Sequence, residues 1–373
     1  MQKVKIFLAL FILIVLIGAC SSQNNGNSNS QSSEPIKLGL LLPLTGEAAS
    51  WGQNSLAGAT LAANEINSQG GIGGRKIELV AEDDKCSADS VSAIQKLINV
   101  DQVTGVIGPI CSASGGPALP IAESNGVPVV IVAASAPKLT EGEYIFRVYP
   151  SDSFQGKEAA NFIYNTLGKK KIAIVYVKND WGEGIKNVFA PTFRQLGGEV
   201  IYEDGVLQTD KDFKTLITKV KESGAEALYL PVYPAGGVSA LKQIKEMNLN
   251  IPVIGGDAFD GEEFFKSDYA EDTIYLVARV NSPEDFKAKI KNVKGFENLE
   301  VAIAAPLAYD ALRVMTEAIK NTGSTNKAGI KEALKQTSIN GVSTSKIEFD
   351  SVGDLKQVAY DVKVVRSKKS VYR

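Results

Sequence analysis

Short apolar runs alternate with amphipathic segments along most of this chain, and the alternation restricts it to an α/β fold. The first series has helical patterns between buried-strand patterns at residues 36–42, 77–80, 103–107 and 127–132. A second series begins after Pro150, with strand patterns at residues 171–177, 199–202, 227–230 and 253–254. Repeated strand–helix units of this kind predict parallel, doubly wound sheets.

The C-terminal part of the chain has a different pattern. Helical stretches are predicted over residues 301–320 and 327–335, and a terminal strand pair is predicted at residues 346–349 and 358–365. With 373 residues, of which 44% are hydrophobic, the chain can bury two cores of ordinary size. The sequence therefore predicts two lobes, each a doubly wound, mostly parallel sheet flanked by helices.

The first residues of the chain predict export. Lys3 and Lys5 precede an apolar segment of twelve residues, 6–17, and small residues follow it. This order is typical of a secretory signal. The segment is shorter than the roughly 20 residues that a helix needs to span a bilayer, so we expect a signal peptide and not a membrane helix.

The run Leu16-Ile-Gly-Ala-Cys20 resembles the lipobox of bacterial lipoproteins. The resemblance implies a signal peptide over residues 1–19 and a lipid on Cys20; an ordinary signal peptide cut elsewhere is the alternative. A Ser/Asn/Gln/Gly tract follows and predicts a flexible tether over residues 20–34. We therefore expect an extracytoplasmic protein, at the cell surface or in the periplasm, that lipid anchors to the cell membrane.

The chain contains no histidine, which limits the chemistry that it can perform. Most catalytic triads need an imidazole base, and most zinc and iron sites need an imidazole ligand, so we expect no enzyme, no cofactor and no metal. Gly70-Gly-Ile-Gly-Gly74 follows a helical pattern and precedes a strand, the reverse of a dinucleotide-binding loop, and so predicts a tight turn. Lys and Arg number 40 against 42 Asp and Glu, which argues against a nucleic-acid partner.

The cysteines indicate one disulfide. Once Cys20 is assigned to lipid, Cys86 and Cys111 form a single possible pair, and outside the cytoplasm a disulfide is the expected state. Closing a loop of this length stabilises a protein by roughly 3 kcal/mol in the chain-entropy model. A nucleophilic cysteine is the alternative, but it would lack an imidazole partner.

Two loops at strand ends carry candidate binding residues. Ser112 follows the strand at 103–107 and opens a helix, where free N–H groups and the helix dipole favour a carboxylate; a helix cap without a ligand is the alternative. The next strand ends in Ala133-Ala-Ser135, whose small side chains let a ligand approach the backbone, unless they only pack under Pro137. Ligands of doubly wound sheets bind at the carboxyl ends of strands, so the two loops together predict a binding site.

The order of motifs resembles the branched-chain amino acid binding proteins of ABC importers, which have the type I periplasmic binding protein fold. The similarity extends over about residues 36–365. The motifs that carry it are Leu41-Leu-Pro-Leu-Thr-Gly46, Asn67-Ser-Gln-Gly-Gly-Ile72, Asp83-Asp-Lys-Cys86, Ser112 with its neighbours, Ala133-Ala-Ser135, Trp181-Gly-Glu-Gly184 and Ile347-Glu-Phe-Asp-Ser-Val-Gly-Asp354.

The resemblance implies how the head group of an amino acid is bound. It implies that Ser112 and Ser135 bind the α-carboxylate through hydroxyl and N–H groups, with Ala134 in the same turn. The Ala133 carbonyl and the Ser135 hydroxyl would receive the α-ammonium. Asp257 falls where the family places an acidic residue against that ammonium. Many members have Glu there, so the shorter Asp either changes the reach or reflects a smaller or displaced ligand. A plain surface turn at Gly255-Gly-Asp257 is the alternative.

The resemblance also assigns an apolar wall to the site. Trp51, Trp181 and Tyr233 fall at the lining positions and would enclose an apolar side chain. A role in the core is the alternative, although both tryptophans sit beside glycine at strand-to-helix turns. The same correspondence places Cys86 opposite Cys111, in agreement with the expected disulfide.

The implied function is capture by hinge closure. Residues 35–150 plus 281–350 would form the N-terminal lobe, and residues 151–280 plus 351–373 the C-terminal lobe. A monomer would deliver a neutral amino acid, branched-chain or otherwise apolar, to the permease subunits of an ABC importer. Three alternatives stay open: the same role for an amide, urea or an aromatic carboxylate; a sensory ligand-binding subunit; and a hydrolase that uses Ser112, which no histidine and no lysine in a motif would assist.

Overall fold

The computed structural model describes residues 34–373, so the predicted signal peptide, Cys20 and the tether up to residue 33 lie outside the described residues. These residues form two lobes, each built around its own sheet. The sheet of the first lobe contains β1 (Ile36–Leu42), β2 (Ile77–Asp83), β3 (Gly105–Ile107), β4 (Val129–Ile131) and β5 (Ile145–Arg147). Its order is β2-β1-β3-β4-β5, and all neighbouring strands are parallel, as the sequence predicts.

The second lobe has a seven-stranded, mixed sheet. It contains β6 (Lys171–Val177), β7 (Glu199–Val206), β8 (Ala227–Leu230), β9 (Val253–Gly255), β10 (Ile274–Ala278), β13 (Tyr360–Arg366) and β14 (Lys369–Tyr372). Between β10 and β13 along the chain, β11 (Ser338–Ile339) and β12 (Ile347–Glu348) form a separate two-stranded sheet. The sheet order is β14-β13-β10-β9-β8-β6-β7. Its last two strands along the chain run antiparallel to their neighbours, and the other pairs are parallel.

Helices cover both sheets. They are α1 (Ala49–Ser68), α2 (Ser90–Asn99), α3 (Ser112–Ser124), α4 (Asp152–Asn161), α5 (Asp180–Gln195), α6 (Lys214–Ser223), α7 (Pro234–Glu246), α8 (Glu262–Phe265), α9 (Glu284–Lys291), α10 (Ala304–Thr322) and α11 (Lys327–Lys335). The first three and the last three pack in the first lobe, and α4 to α8 pack in the second. No helix within residues 34–373 is both long enough and apolar enough to cross a membrane.

The burial of β1 explains why its sequence is almost continuously apolar. Leu38 and Leu40 pack in the cluster that contains α1 and α10. Leu41 points to the opposite face and packs with α2 and α3. A strand covered by helices on both faces needs apolar residues at every position, so the run at 36–42 is the expected signature of a doubly wound sheet.

Some predicted elements are wrong. The strands at 346–349 and 358–365 do not pair with each other: β12 pairs with β11, whereas β13 pairs with β10 and β14. The sequence pattern also missed β5, β10 and α9. The three residues of β5 are too few to show a period, and β10 is buried on both faces and shows no alternation.

A buried arginine holds one of the segments that connect the lobes. Arg147, at the end of β5, is fully buried. Its guanidinium donates to Asp354 Oδ1 at 2.9 and 2.6 Å, in the segment that leads to β13. It also donates to the carbonyls of Ala134 and Ala136, at 3.1 and 2.9 Å. One side chain thus holds the loop after β4 against a connection between the lobes.

Candidate functional site

A cleft of about 690 Å³ lies between the lobes, at the carboxyl ends of strands in both sheets. Residues from both lobes line it. Of the residues singled out in the sequence, it brings together Trp51, Ser112, Ala133, Ser135, Trp181, Tyr233 and Asp257. Cys86 and Cys111 also line the cleft.

Ser112 is positioned by the turn between β3 and α3. The turn needs glycine at position 108, where φ is +117° and a Cβ would overlap the Leu41 carbonyl. Ser112 is the first residue of α3, and its Oγ accepts hydrogen bonds from the N–H groups of Ser135, at 3.2 Å, and Ala136, at 3.1 Å. Both lone pairs of the hydroxyl are therefore used, and its hydrogen is left to donate to an acceptor in the cleft.

The loop after β4 presents alternate residues to the cleft. Ala133 and Ser135 line the cleft, but Ala134, which the sequence places beside them in the site, is turned away. Its side chain packs in the core cluster with α2 and α3, and its carbonyl accepts from Arg147. Ala134 therefore faces the core, whereas the residues on either side of it face the cleft. The Ser135 N–H also differs from its predicted use, because it donates to Ser112.

Asp257 is a buried acid in a short 3₁₀ helix after β9, and its side chain is 7% exposed. Its Oδ2 accepts from the Tyr149 hydroxyl at 2.8 Å, and its backbone N–H donates to Gln155 Oε1 at 2.8 Å. Burial raises the pKa of Asp257, although hydrogen bonds from Tyr149 and Gln155 oppose the rise. A cation placed in the cleft would stabilise the ionised acid.

Trp181 and Tyr233 form the wall of the cleft on the second lobe. Their rings stack with centroids 5.1 Å apart and an angle of 22° between planes. Trp181 is held in the first turn of α5, where the Asn179 side chain caps the helix by accepting from the N–H groups of Trp181 and Gly182, both at 3.1 Å. Trp51, in the first turn of α1, lines the cleft from the other lobe. These rings offer an apolar surface to a ligand side chain.

The predicted disulfide between Cys86 and Cys111 is present. It joins the loop after β2 to the residue that precedes Ser112. Asp84 supports the same junction: its Oδ1 accepts from the Cys86 N–H at 2.8 Å, and its Oδ2 accepts from the Ser114 hydroxyl at 3.1 Å. Burial raises the pKa of Asp84 to about 6. A covalent bond and a buried acid therefore both brace the start of α3.

The lobes also touch outside the cleft. Gly116 of α3 faces α5, and a Cβ at position 116 would overlap the Asp180 carboxylate. Near the rim, Glu47 of the first lobe pairs with Lys211 of the second, with 3.5 Å between Oε1 and Nζ. The lobes are therefore in contact beside the site as well as at its rim.

The sequence gives no indication that three further residues lie near the site. Tyr149 lines the cleft, and Asp152 and Gln155 lie buried behind Asp257. Asp152 and Gln155 open helix α4, where such residues are common helix-start residues. Only the tertiary structure places them against the site.

The site has the chemistry of binding. Ser112 offers a donor on one lobe, Asp257 offers an acid on the other, and apolar rings lie between. Among residues 34–373, no group of His, Cys, Asp and Glu is arranged to hold a metal ion.

Comparisons with known proteins agree with the fold and the cleft. A family model described as periplasmic binding protein matches residues 35–370. The leucine-, isoleucine-, valine-, threonine- and alanine-binding protein of Pseudomonas aeruginosa is 31% identical over 341 residues, which cover 90% of this chain and 91% of that protein.

Solved structures of similar proteins share the same architecture. The leucine-binding protein LivK of Thermotoga maritima matches with a TM-score of 0.82 and 26% identity, over 91% of this chain and 97% of that one. The branched-chain amino acid transporter substrate-binding protein LivJ of Streptococcus pneumoniae, in complex with isoleucine, matches with a TM-score of 0.79 and 28% identity, over 90% of this chain and 97% of that one. With its two-lobed α/β fold and a family match over nearly all of the described residues, the chain belongs to the periplasmic binding protein family.

Proposed function

We propose that this chain is the extracytoplasmic substrate-binding component of an ABC importer, and that it captures a neutral amino acid with a branched or otherwise apolar side chain. The observation that carries the proposal is the arrangement of a free donor and a buried acid across one cleft. The Ser112 hydroxyl has a hydrogen to donate, and Asp257 stands on the opposite lobe. A zwitterionic head group supplies an acceptor to the first and a cation to the second.

The apolar wall supports the same ligand class. Trp51, Trp181 and Tyr233 surround the part of the cleft that the head group would leave open. Burying an aliphatic side chain there would favour binding by about 25 cal/mol for each Å² of apolar surface removed from water. The names of the similar proteins, which state binding of leucine, isoleucine and valine, support this assignment.

Capture takes place by closure of the lobes. We assign residues 35–150 plus 281–350 to the N-terminal lobe and residues 151–280 plus 351–373 to the C-terminal lobe, with hinges in the connecting segments. The first lobe supplies Ser112, Ala133 and Ser135, and the second adds Asp257 and the ring pair. A monomer that alternates between open and closed shapes gives permease subunits two states to distinguish, and the chain acts without catalysis.

The N-terminal sequence supports a lipid anchor. Cys20 becomes the lipidated first residue after cleavage of residues 1–19, and residues 20–34 tether the lobes to the membrane. Labelling cells with radioactive palmitate tests this assignment: the wild-type protein should carry the label, and Cys20→Ala should remove it. Label on the Cys20→Ala protein would contradict it.

A thermal-shift screen of residues 21–373 tests the ligand class. A ligand that binds only the folded state raises the melting temperature, so Leu, Ile or Val should raise it, and Ser112→Ala should reduce the rise. If only amides, urea or aromatic carboxylates raise the melting temperature, the importer role still stands, but Asp257 does not bind an α-ammonium group. A response to none of these compounds would contradict the proposed ligand class.

A further inference from the structure

A second cavity, of about 540 Å³, opens on the first lobe beside one of the connections between the lobes. Residues 279–283 form this connection, which leads from β10 of the second sheet to α9 of the first lobe. Asn281, Ser282 and Pro283 line the cavity, and none of its lining residues also lines the cleft. Its volume lies in the range of roughly 300–1,000 Å³ that small-molecule sites have. The cavity is therefore a candidate site distinct from the cleft.

The first lobe supplies an apolar wall to this cavity. Phe286 of α9 and Tyr309 of α10 line it and pack edge to face, with ring centroids 5.3 Å apart and an angle of 77° between planes. Val342, in the segment between β11 and β12, adds to this wall. Aromatic and aliphatic side chains of this kind suit the hydrocarbon part of a ligand.

One charged side chain of the cavity has no partner. Lys289 also lines the cavity, but its Nζ lies 3.3 Å from Glu65 Oε1. The Tyr309 hydroxyl donates to Glu65 Oε2 at 2.5 Å. Asp285, by contrast, has neither a hydrogen bond nor an ion pair within residues 34–373. The charge that the cavity can offer to a ligand is therefore negative, and it favours a cation.

A buried hydroxyl of the same cavity also has no partner. The Oγ of Ser282 is buried and makes no hydrogen bond within the part of the chain that the structure describes. Buried polar atoms are hydrogen-bonded in the large majority of cases, so this oxygen is available to a ligand. Ser282 precedes α9 and Asp285 lies in its first turn. An ammonium group has three hydrogens, and it can donate to a hydroxyl and to a carboxylate at once.

We propose that this cavity is a second ligand site, and that it binds a small primary amine with an apolar body. The ammonium lies at the end of the cavity that Ser282 and Asp285 form, and the apolar body packs against Phe286, Tyr309 and Val342. An anion is disfavoured there, because the acid is the charge without a partner and like charges repel.

The connection beside the cavity is attached to the first lobe. The Asn281 N–H donates to the Ser343 carbonyl at 2.8 Å. The Ser343 N–H in turn donates to Asp310 Oδ2 of α10 at 2.7 Å. A ligand that contacts both the connection and α10 therefore stabilises this arrangement of residues 281–283.

Occupancy of the cavity should favour capture in the cleft. Movement of the lobes changes the dihedral angles of the connecting segments, and the arrangement of residues 281–283 described above belongs to a form whose lobes are in contact. A ligand that binds one form better increases its population. The amine should therefore raise the affinity of the cleft for its own ligand, and the cleft ligand should raise the affinity for the amine by the same factor. This coupling rests on the proposed amino-acid ligand, whereas the second site does not.

Titration calorimetry with two probes tests the site. 2-Phenylethylamine and 2-phenylethanol have the same skeleton, and the second has a hydroxyl in place of the ammonium. Wild-type residues 21–373, saturated with L-leucine so that the cleft is occupied, should bind the amine and prefer it to the alcohol. Asp285→Asn should weaken amine binding about three- to tenfold, between the usual effects of an exposed ion pair and of a hydrogen bond to a charged group.

Glu284→Gln is the matched control. Glu284 is the adjacent acid, but it does not line the cavity, and its Oε1 lies 2.7 Å from Lys287 Nζ. Its substitution removes the same charge from the same turn of α9. The affinity for the amine should stay as in the wild type.

The effect on the cleft is measured by titrating L-leucine with and without saturating 2-phenylethylamine. The affinity for L-leucine should rise about fivefold or more, the lower end of the usual couplings. The amine concentration that gives half of this rise should be about three to ten times higher for Asp285→Asn. An amine that entered the cleft would instead compete with L-leucine. Competition, or an affinity for L-leucine that the amine leaves unchanged, would overturn the inference.

The remaining outcomes separate this inference from the proposed function. If the protein binds L-leucine but does not bind the amine, or binds it equally with and without Asp285→Asn, only the inference fails. If the protein does not bind L-leucine, the proposed ligand fails, and the compound that raises the melting temperature takes its place in both titrations. If Asp285→Asn does not fold, Ser282→Ala replaces it and should weaken amine binding by a similar factor; an unchanged affinity would overturn the inference.

Discussion

The N–H of Ser135 donates to the hydroxyl of Ser112 at 3.2 Å, and this bond joins two loops that follow neighbouring strands. The bond therefore connects the loop after β3 to the loop after β4. It also occupies a lone pair of Ser112, so that this residue faces the cleft as a donor. The bond between the two loops therefore fixes the direction in which the Ser112 hydroxyl can donate.

Ser112→Ala should weaken the binding of L-leucine about 10- to 100-fold, because it removes a hydrogen bond to a carboxylate. Titration calorimetry measures the loss. Ser92→Ala serves as the control, since Ser92 lies on α2 and its hydroxyl bonds to the Asp89 carbonyl outside the cleft. Equal affinity of the Ser112→Ala and Ser92→Ala proteins would exclude Ser112 from the site.

Asp257→Asn should weaken the binding of L-leucine by about 2–5 kcal/mol, the usual effect of removing one partner of a buried charge pair. The binding of 4-methylpentanoate should not fall, because that probe has no ammonium to lose a partner. Asp268→Asn, at an exposed acid of the same lobe, should leave both affinities unchanged. Parallel loss of both probes would show that Asp257 shapes the site without contacting an ammonium.

Both tryptophans of the chain line the cleft, so their fluorescence should report ligand binding. Adding L-leucine should shift the emission of the wild-type protein, because the environment of the rings changes when the cleft is filled. Trp51→Phe leaves Trp181 as the emitter and Trp181→Phe leaves Trp51, so the two variants assign the signal. If saturating L-leucine does not change the emission spectrum of either variant, neither ring lies near the ligand.

Replacing both Cys86 and Cys111 with serine should lower the free energy of unfolding by roughly 3 kcal/mol, as expected for opening a loop of 25 residues. Affinity should also fall, because Cys111 precedes Ser112 and the bond holds the start of α3. Denaturant unfolding measures the first effect. Dithiothreitol should lower the free energy of unfolding of the wild-type protein by a similar amount and should leave that of the double variant unchanged. If dithiothreitol does not change the stability of the wild-type protein, the disulfide does not stabilise it.

Asp84 should make stability depend on pH. Burial raises its pKa from 3.8 to about 6, so its contribution is present below pH 4 and is lost as the pH rises through 6. The loss amounts to about 3 kcal/mol between these limits. Urea unfolding of the wild type and of Asp84→Asn, from pH 4 to pH 7.5, isolates this component, because the other acids are common to both. Parallel stability curves would contradict a raised pKa.

The sequence predicts what local pattern encodes. The strand at 36–42 is found because a strand buried on both faces is apolar throughout, and Cys86 and Cys111 are found because they form the only pair left. The sequence places Ser112 and Ser135 at the cleft, because both follow strand ends of a doubly wound sheet, where ligands bind. Ala134, which the sequence places beside them, instead faces the core, where its side chain packs with residues of α2 and α3.

The groups that the sequence does not reveal depend on distant contacts. Asp152 and Gln155 have the composition of an ordinary helix start, and only the packing of α4 against the loop after β9 brings them to Asp257. Arg147 likewise gains its role from Asp354, which is 207 positions away in the chain. Neither hydrophobic periodicity nor a sequence motif indicates such contacts.

The contact of Gly116 with Asp180 has a consequence for the energetics of capture. A side chain at position 116 would have to displace the Asp180 carboxylate from the contact between α3 and α5, and it would favour the open shape to the extent that this carboxylate cannot turn aside. The apparent dissociation constant would then rise by the factor that the closed population falls, although no atom that touches the ligand has changed. The absence of a side chain at this position would therefore favour capture from a surface that the ligand never meets.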